Sequence, residues 1–327
     1  MTRAPQGKQQ GFTLVELMIS MLLGVVLSGA AIKLYIESKI SYQQDEELAR
    51  LQENARFTMD FLKREISLSG FLGGVNDKSV IPAASVTTDC GNGADWALNV
   101  DEPFELLNNT DGSTALTSLN GTTWNCIDVS EVVAGTDLFS IKRTADGPTL
   151  RDGAMATGSE DMNQWYFKSF DYNNYSWAYL TAAIPSGEKI ANSTYNYWEY
   201  YAKIFFIREY ADVIADGIPT LCQSALVANE MTTQCLIEGI EDLQIEVGID
   251  ANNDNVVEQY KAAPSASDFA NVKSVRLYLL VRSINELPGY TNDKTYRLGQ
   301  KNIAAFNDGY IRKVFTTTVK IRNVSLG

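Results

Sequence analysis

The sequence contains no histidine. That removes at once the His-dependent catalytic triads, the usual imidazole general base and the His-containing zinc sites, so hydrolytic enzyme readings lose most of their ground. Basic residues are scarce too: 27 Lys and Arg stand against 40 Asp and Glu, a formal net charge of −13. Binding a nucleic-acid backbone requires clustered cations on phosphates, so no nucleic-acid partner is expected. Proline is sparse, and none falls between Phe12 and Gly70; nothing there forces a helix to break. The only cysteines are Cys90, Cys126, Cys222 and Cys235, with no C-x-x-C pair of the kind used by zinc ribbons or thioredoxin-like redox sites.

What is present is globular in character: 45% hydrophobic and 10% aromatic residues over 327 positions, enough for a sizeable core. Four cysteines allow three connectivities, and pairing by proximity gives Cys90 with Cys126 and Cys222 with Cys235. Closing the shorter loop is worth about 3 kcal/mol in the chain-entropy model. Such bonds persist only in an oxidising compartment, which implies an exported domain.

From Phe12 to Ile32 the only charged residue is Glu16. These 21 residues, at 1.5 Å per residue, span about 30 Å, the thickness of a bilayer core. A secretory signal has a shorter apolar region followed by a small-residue cleavage site, whereas this run continues into helix-compatible sequence. Arg3 and Lys8 precede it with no acid between them, so the positive-inside rule keeps that end cytoplasmic and sends everything after Lys33 across the membrane. Two accounts of Glu16 compete. It either sits at the cytoplasmic edge of an anchor helix and reaches headgroup water, or it is there for a partner, the default for an ionisable residue in a membrane segment.

The string Gly11, Phe12, Thr13, Leu14, Val15, Glu16 resembles the type IV prepilin signature. Its specificity lies in a conjunction: a short basic leader, Gly before Phe, Glu at the fifth mature position and a long apolar helix. The resemblance implies that a prepilin peptidase cuts between Gly11 and Phe12, that Phe12 is then N-methylated, and that Glu16 aligns a subunit through its neighbour's terminal amine.

Beyond the membrane segment, Leu48, Leu51, Ala55, Met59, Leu62 and Ile66 fall three or four apart and line one helical face. Glu46, Glu47, Arg50, Glu53, Arg56 and Lys63 are expected on the other faces. One helix of more than fifty residues is predicted, its second half packing on a β domain. A soluble coiled coil is excluded because the stripe is not sustained as heptads. "SGFLGG", with Gly70, Gly73 and Gly74, lacks the preceding strand and Lys-Ser/Thr pair of a phosphate loop and reads as a helix stop. Residues 75–200 have the Asn, Gly, Ser, Thr and Asp content of short strands joined by long loops. "DLFSIKR" and "YAKIFFIREY" read as strands. The aromatics Tyr195, Tyr197, Trp198, Tyr200 and Tyr201 read as packing rather than a sugar or base platform.

Three further strands, "EDLQIEVGID", "NVKSVRLYLLVRS" and "KVFTTTVKIRN", predict an antiparallel sheet. Their order resembles the C-terminal part of PilW-type minor pilins. Lys33 stands where abundant pilins commonly have a kinking proline, and the chain is about twice the usual major-pilin length, both of which speak against a major subunit. The expected fold is α+β and pilin-like: a long N-terminal α-helix, its first half membrane-spanning, packed on a large antiparallel β-sheet head. The expected organisation is a leader at 1–11, a transmembrane or filament-core helix at 12–33, its amphipathic second half at 34–70, and a periplasmic or extracellular head at 71–327.

"DANNDNVVE" sets Asp250, Asn252 and Asp254 at alternate positions, followed by the Val256 carbonyl and Glu258, the oxygen spacing of a calcium loop. The match is partial. Asn255 replaces the turn glycine, Lys261 stands where a bidentate Glu belongs, and an ordinary acidic turn has the same composition. Calcium is the only cofactor suggested. The implied function is non-enzymatic: a minor pilin in initiation and assembly of the type IV pilus, at its tip complex. Its implied partners are prepilin peptidase, other minor pilins, the major pilin and the inner membrane, with a tip adhesin as a further candidate. The alternative is a J-type minor pseudopilin of type II secretion. A membrane-anchored periplasmic enzyme would need convergent acid, base or nucleophile groups, and only unspecific carboxylates are in view.

Overall fold

A helix, α1 (Leu14–Ser67), runs unbroken for 54 residues, about 80 Å at 1.5 Å per residue. The computed structural model describes residues 11–323, apart from 76, 92, 94 and 172; of the expected 1–11 leader, only Gly11 lies among them. The helix opens with Thr13 as N-cap and Glu16 closing a capping box, which satisfies two amides that would otherwise lack partners. It stops at "SGFLGG". Gly70 has φ +77° and a Cβ there would lie 2.8 Å from the Asn323 carbonyl oxygen, so only glycine fits.

The two halves of α1 differ completely in environment. From Leu14 to Ile36 its large apolar side chains are all exposed, and the segment is long and apolar enough to cross a membrane. From Glu47 onward one face is buried: Leu51, Ala55, Leu62 and Ile66 are at most 2% exposed. The expected stripe is therefore the packed one, with Leu48 and Met59 at its half-buried margins. Glu47 is a correction. It is buried on the packing face and not on a solvent face, because its carboxylate accepts from the Asn285 side-chain amide at 2.8 Å and the Ile284 N–H at 3.3 Å.

The head holds β1 (Phe104–Leu107), β2 (Leu138–Thr144), β3 (Leu150–Arg151), β4 (Ala154–Met155), β5 (Gln164–Phe170), β6 (Asn174–Leu180), β7 (Asn196–Arg208), β8 (Thr220–Val227), β9 (Glu230–Glu238), β10 (Ile240–Ile249), β11 (Gln259–Lys261), β12 (Val272–Arg282), β13 (Tyr296–Leu298), β14 (Lys301–Ile303) and β15 (Arg312–Lys320). All pairings between these strands are antiparallel. They form two main sheets, not one. The larger is organised on β7, whose carboxy-terminal half pairs with β2 and β8 and whose amino-terminal half pairs with β3 and β5. The smaller runs β11-β10-β12-β15. The chain crosses between them at Gly239, φ +80°, where a Cβ would meet the Arg282 carbonyl oxygen at 2.7 Å.

One hydrophobic core joins all three layers. Leu51, Ala55, Leu62 and Ile66 of α1 meet Phe139 and Phe205 of the larger sheet and Leu243, Ile245, Leu277 and Leu279 of the smaller. Each fully buried aliphatic side chain contributes about 1.5–3 kcal/mol, so the upper half of α1 is held by the head. The other face of the larger sheet covers a second core with Trp96 and Trp124. The aromatic run divides as packing: Tyr197 and Tyr200 are buried, and the Tyr200 hydroxyl donates to the Ala97 carbonyl at 2.7 Å.

Candidate functional site

At the start of α1, Glu16 Oε2 accepts from the Thr13 N–H at 3.0 Å and from the Thr13 hydroxyl at 2.9 Å. The Glu16 N–H donates in turn to Thr13 Oγ1 at 3.3 Å. Among the described residues, Glu16 has no ion-pair partner. Gly11 and Phe12 are exposed just ahead of the helix, with Phe12 88% exposed. The apolar residues that follow have no protein against them, so the segment carries one acid without a cation.

Glu65, 49 positions up the same helix, is the opposite case. It is 4% exposed and accepts from Nε and Nη2 of Arg143, each at 2.9 Å, while Lys203 Nζ lies 2.9 Å from its Oε1. Burial pushes this carboxyl up, but Arg143 and Lys203 outweigh that and hold it below the usual range. Sequence reading missed it. The signal was available: Glu65 lies beside Ile66 and three residues after Leu62, on the apolar face.

A second buried carboxylate ties the sheets together. Asp137, fully buried ahead of β2, accepts from the Asn109 N–H at 2.8 Å and from the Ile245 N–H of β10 at 2.7 Å. Burial drives its pKa up to about 7, with Asp242 adding to the rise and the two amides and Lys301 opposing it.

The structure bonds Cys90 to Cys126 and Cys222 to Cys235. The second pair faces across the β8–β9 ladder, and the first closes the loops over the Trp96 and Trp124 core.

In the β10–β11 connection, one oxygen from each of Asp250, Asp254 and Glu258 lies within 4.8 Å of the others. This is a hard-oxygen donor set of the kind calcium takes. Each carboxylate also serves the loop itself. Asp250, fully buried, accepts from the Asp254 and Asn255 amides at 3.1 and 2.9 Å, Asp254 from the Val256 amide at 2.8 Å, and Glu258 from the Ala251 amide at 2.8 Å. Asn252 Oδ1 accepts the Asp254 amide at 3.0 Å. Lys273 Nζ stands 3.9 Å from Asp250, whereas Lys261 is turned to Asp268 at 3.0 Å. Asn255 has φ +68°, the left-handed conformation asparagine tolerates.

Comparison with known proteins bears on both ends of the chain. Residues 204–323 match the family model described as Type IV Pilus-assembly protein W. Residues 6–32 match the prokaryotic N-terminal methylation motif. No curated protein matches the chain. Among solved structures, a type IV-like pilin from Thermus thermophilus is similar at 12% identity and a TM-score of 0.38, covering 84% of this chain and 97% of that one. The two family matches, at opposite ends of the sequence, support its assignment as a type IV minor pilin of the PilW type.

Proposed function

We propose that this chain is a minor pilin in the initiation and assembly of the type IV pilus, acting at the tip complex with other minor pilins. Before assembly it is held in the inner membrane by residues 12–33, its N-terminus cytoplasmic and its head periplasmic. Prepilin peptidase removes the leader between Gly11 and Phe12, and Phe12 is N-methylated. The subunit is then extracted into the pilus filament or its tip at the cell surface, beside the major pilin, where a tip adhesin is a further candidate partner. Its role is structural rather than catalytic.

The observation that carries this reading is Glu16: an acid in an uncovered apolar segment, with hydrogen bonds to Thr13 but no cation among the described residues. An unpaired charge in a dry environment costs several kcal/mol. The terminal amine of a neighbouring mature subunit supplies the missing charge, and misregistered packing leaves it unpaired. Gene deletion scored for surface piliation and twitching motility tests the reading. Loss of pili, restored by wild type but not by Glu16→Ala or Gly11→Ala, is expected. Normal piliation with a defect in protein secretion would overturn it in favour of a J-type pseudopilin.

Calcium in the 250–258 loop is proposed on narrower ground, the gathering of Asp250, Asp254 and Glu258, with Asn252 and the Val256 carbonyl completing the set. About 1 mM calcium is expected to raise the melting temperature of the purified chain, and Asp250→Asn to remove the rise. No rise in the wild type disposes of the site.

A further inference from the structure

The smaller sheet ends in an open edge. β15 pairs with β12 alone, in uninterrupted register from Arg312 to Lys320. Just beyond its ends, the Ser283 N–H donates to the Ile311 carbonyl at 2.8 Å and the Ile321 N–H to the Lys273 carbonyl at 2.9 Å. Antiparallel pairing alternates, so the odd-numbered residues between them turn their backbone groups toward β12. Those of Val314, Thr316, Thr318 and Lys320 point outward. Among the described residues, no strand covers them. Natural edges are usually short, bulged or interrupted by proline. β1 and β11 are short, at four and three residues, and β9 is engaged by Thr88, which accepts the Met231 amide at 2.9 Å. β15 offers nine regular residues with a Val-Phe-Thr-Thr-Thr-Val centre.

Beside this edge runs a groove against α1, formed by hollows of about 650 and 760 Å³ that share Asp60. Half-buried Met59 and Phe315 give it an apolar floor. Its lining carries six basic side chains, among them Arg56, Lys63, Lys313, Lys320 and Arg322, against three acidic ones. In a chain of net charge −13 this is a local reversal of sign.

We propose that the outer edge of β15 is a docking site for an extended acidic segment of another protein, which adds to the sheet as a fifth strand. Main-chain hydrogen bonds to Val314, Thr316 and Thr318 give affinity, and alternate side chains set specificity. Side chains on one face of the added strand meet Met59, Phe315 and Lys313, and those on the other meet Lys320, so an acid is accommodated on either face. A second copy of this chain is the wrong occupant, because pairing two β15 edges brings two basic grooves together and, centred on Thr316, sets Lys320 of each copy against Arg312 of the other. The site is independent of the filament reading, since peptide binding is measured on the isolated protein.

The test uses the full chain in detergent micelles and two capped nine-residue peptides, one alternating Glu with Val and its Lys-for-Glu counterpart. The acidic peptide is expected to bind at least about tenfold more tightly at low salt, with the preference shrinking as salt screens it. It should slow hydrogen exchange at the Val314, Thr316 and Thr318 amides. Thr316→Pro removes an outward donor at a position where an edge strand tolerates proline and should abolish that protection. Lys313→Glu combined with Lys320→Glu should reverse the peptide preference, and it keeps the test open if the proline variant unfolds. Equal binding of both peptides, protection confined to other strands, or self-association through β15 would overturn the proposal.

Discussion

The two acids of α1, Glu16 and Glu65, sit on one helix and meet opposite fates. Glu65 finds two cations in its own head, Arg143 and Lys203. Glu16 finds only the cap residue Thr13. The same division runs through the whole helix: from Leu14 to Ile36 its large apolar side chains are exposed, and from Glu47 onward one face is core. The lower half is thus built for surroundings the chain does not supply, and the upper half is complete within the fold. What looks like one element is an anchor continued by a core helix.

That contrast can be broken at Glu65 first. Glu65→Ala leaves Arg143 and Lys203 buried without a counter-ion and should cost about 3–5 kcal/mol, read as a fall in denaturant midpoint. Glu16→Ala should leave that midpoint unmoved while abolishing assembly. If Glu16→Ala destabilised the isolated chain comparably, the division would fail.

Reduction of the disulfides sharpens the comparison further. The Cys222–Cys235 loop is worth about 3 kcal/mol and the longer Cys90–Cys126 loop somewhat more in the chain-entropy model. Reductant in detergent should therefore raise hydrogen exchange at Leu51, Leu62 and Ile66 and leave Leu17 to Leu27 protected. Equal loosening of both segments would show that the helix melts as one unit.

Acidity acts with a definite sign. Asp137, raised to about 7 in the folded chain, favours the folded state most below its unfolded pKa. This contribution is lost as pH climbs from about 4 through about 7, a loss of about 4 kcal/mol between pH 4 and 8. Asp137→Asn should flatten that slope in the head without touching the anchor segment. An unchanged slope assigns the pH dependence to another group. The smallest effect is expected at the junction itself. Glu47→Gln weakens the contacts to Ile284 and Asn285 by about 1 kcal/mol, measured as a modest drop in melting temperature with assembly intact.

The sequence was most informative where the pattern is periodic and local. The helix limits, the packed stripe and the strands at 240–249, 272–282 and 312–320 follow from spacing, because a period of 3.6 or 2 shows on the chain itself. The methylation motif that holds Gly11, Phe12 and Glu16 is local in the same way, a single short stretch of chain. Glu47 and Glu65 were not. A charge on an apolar face is explained only by its partners, and Arg143, Lys203 and Asn285 lie 78, 138 and 238 positions away. Nor could composition divide the head into two sheets, since that depends on Gly239 turning the chain between β9 and β10 and on Asp137 bonding across them.

By itself the sequence determined a helix long and apolar enough to cross a membrane, a match to the methylation motif at its start, the pairing expected of four cysteines and a terminal antiparallel sheet, all properties carried by neighbouring residues or by totals. Only the tertiary structure decided which acids are neutralised inside the chain, and which strand of the smaller sheet is left open beside a basic groove. Those are questions of distance in space, settled when residues far apart in the chain are brought within hydrogen-bonding reach.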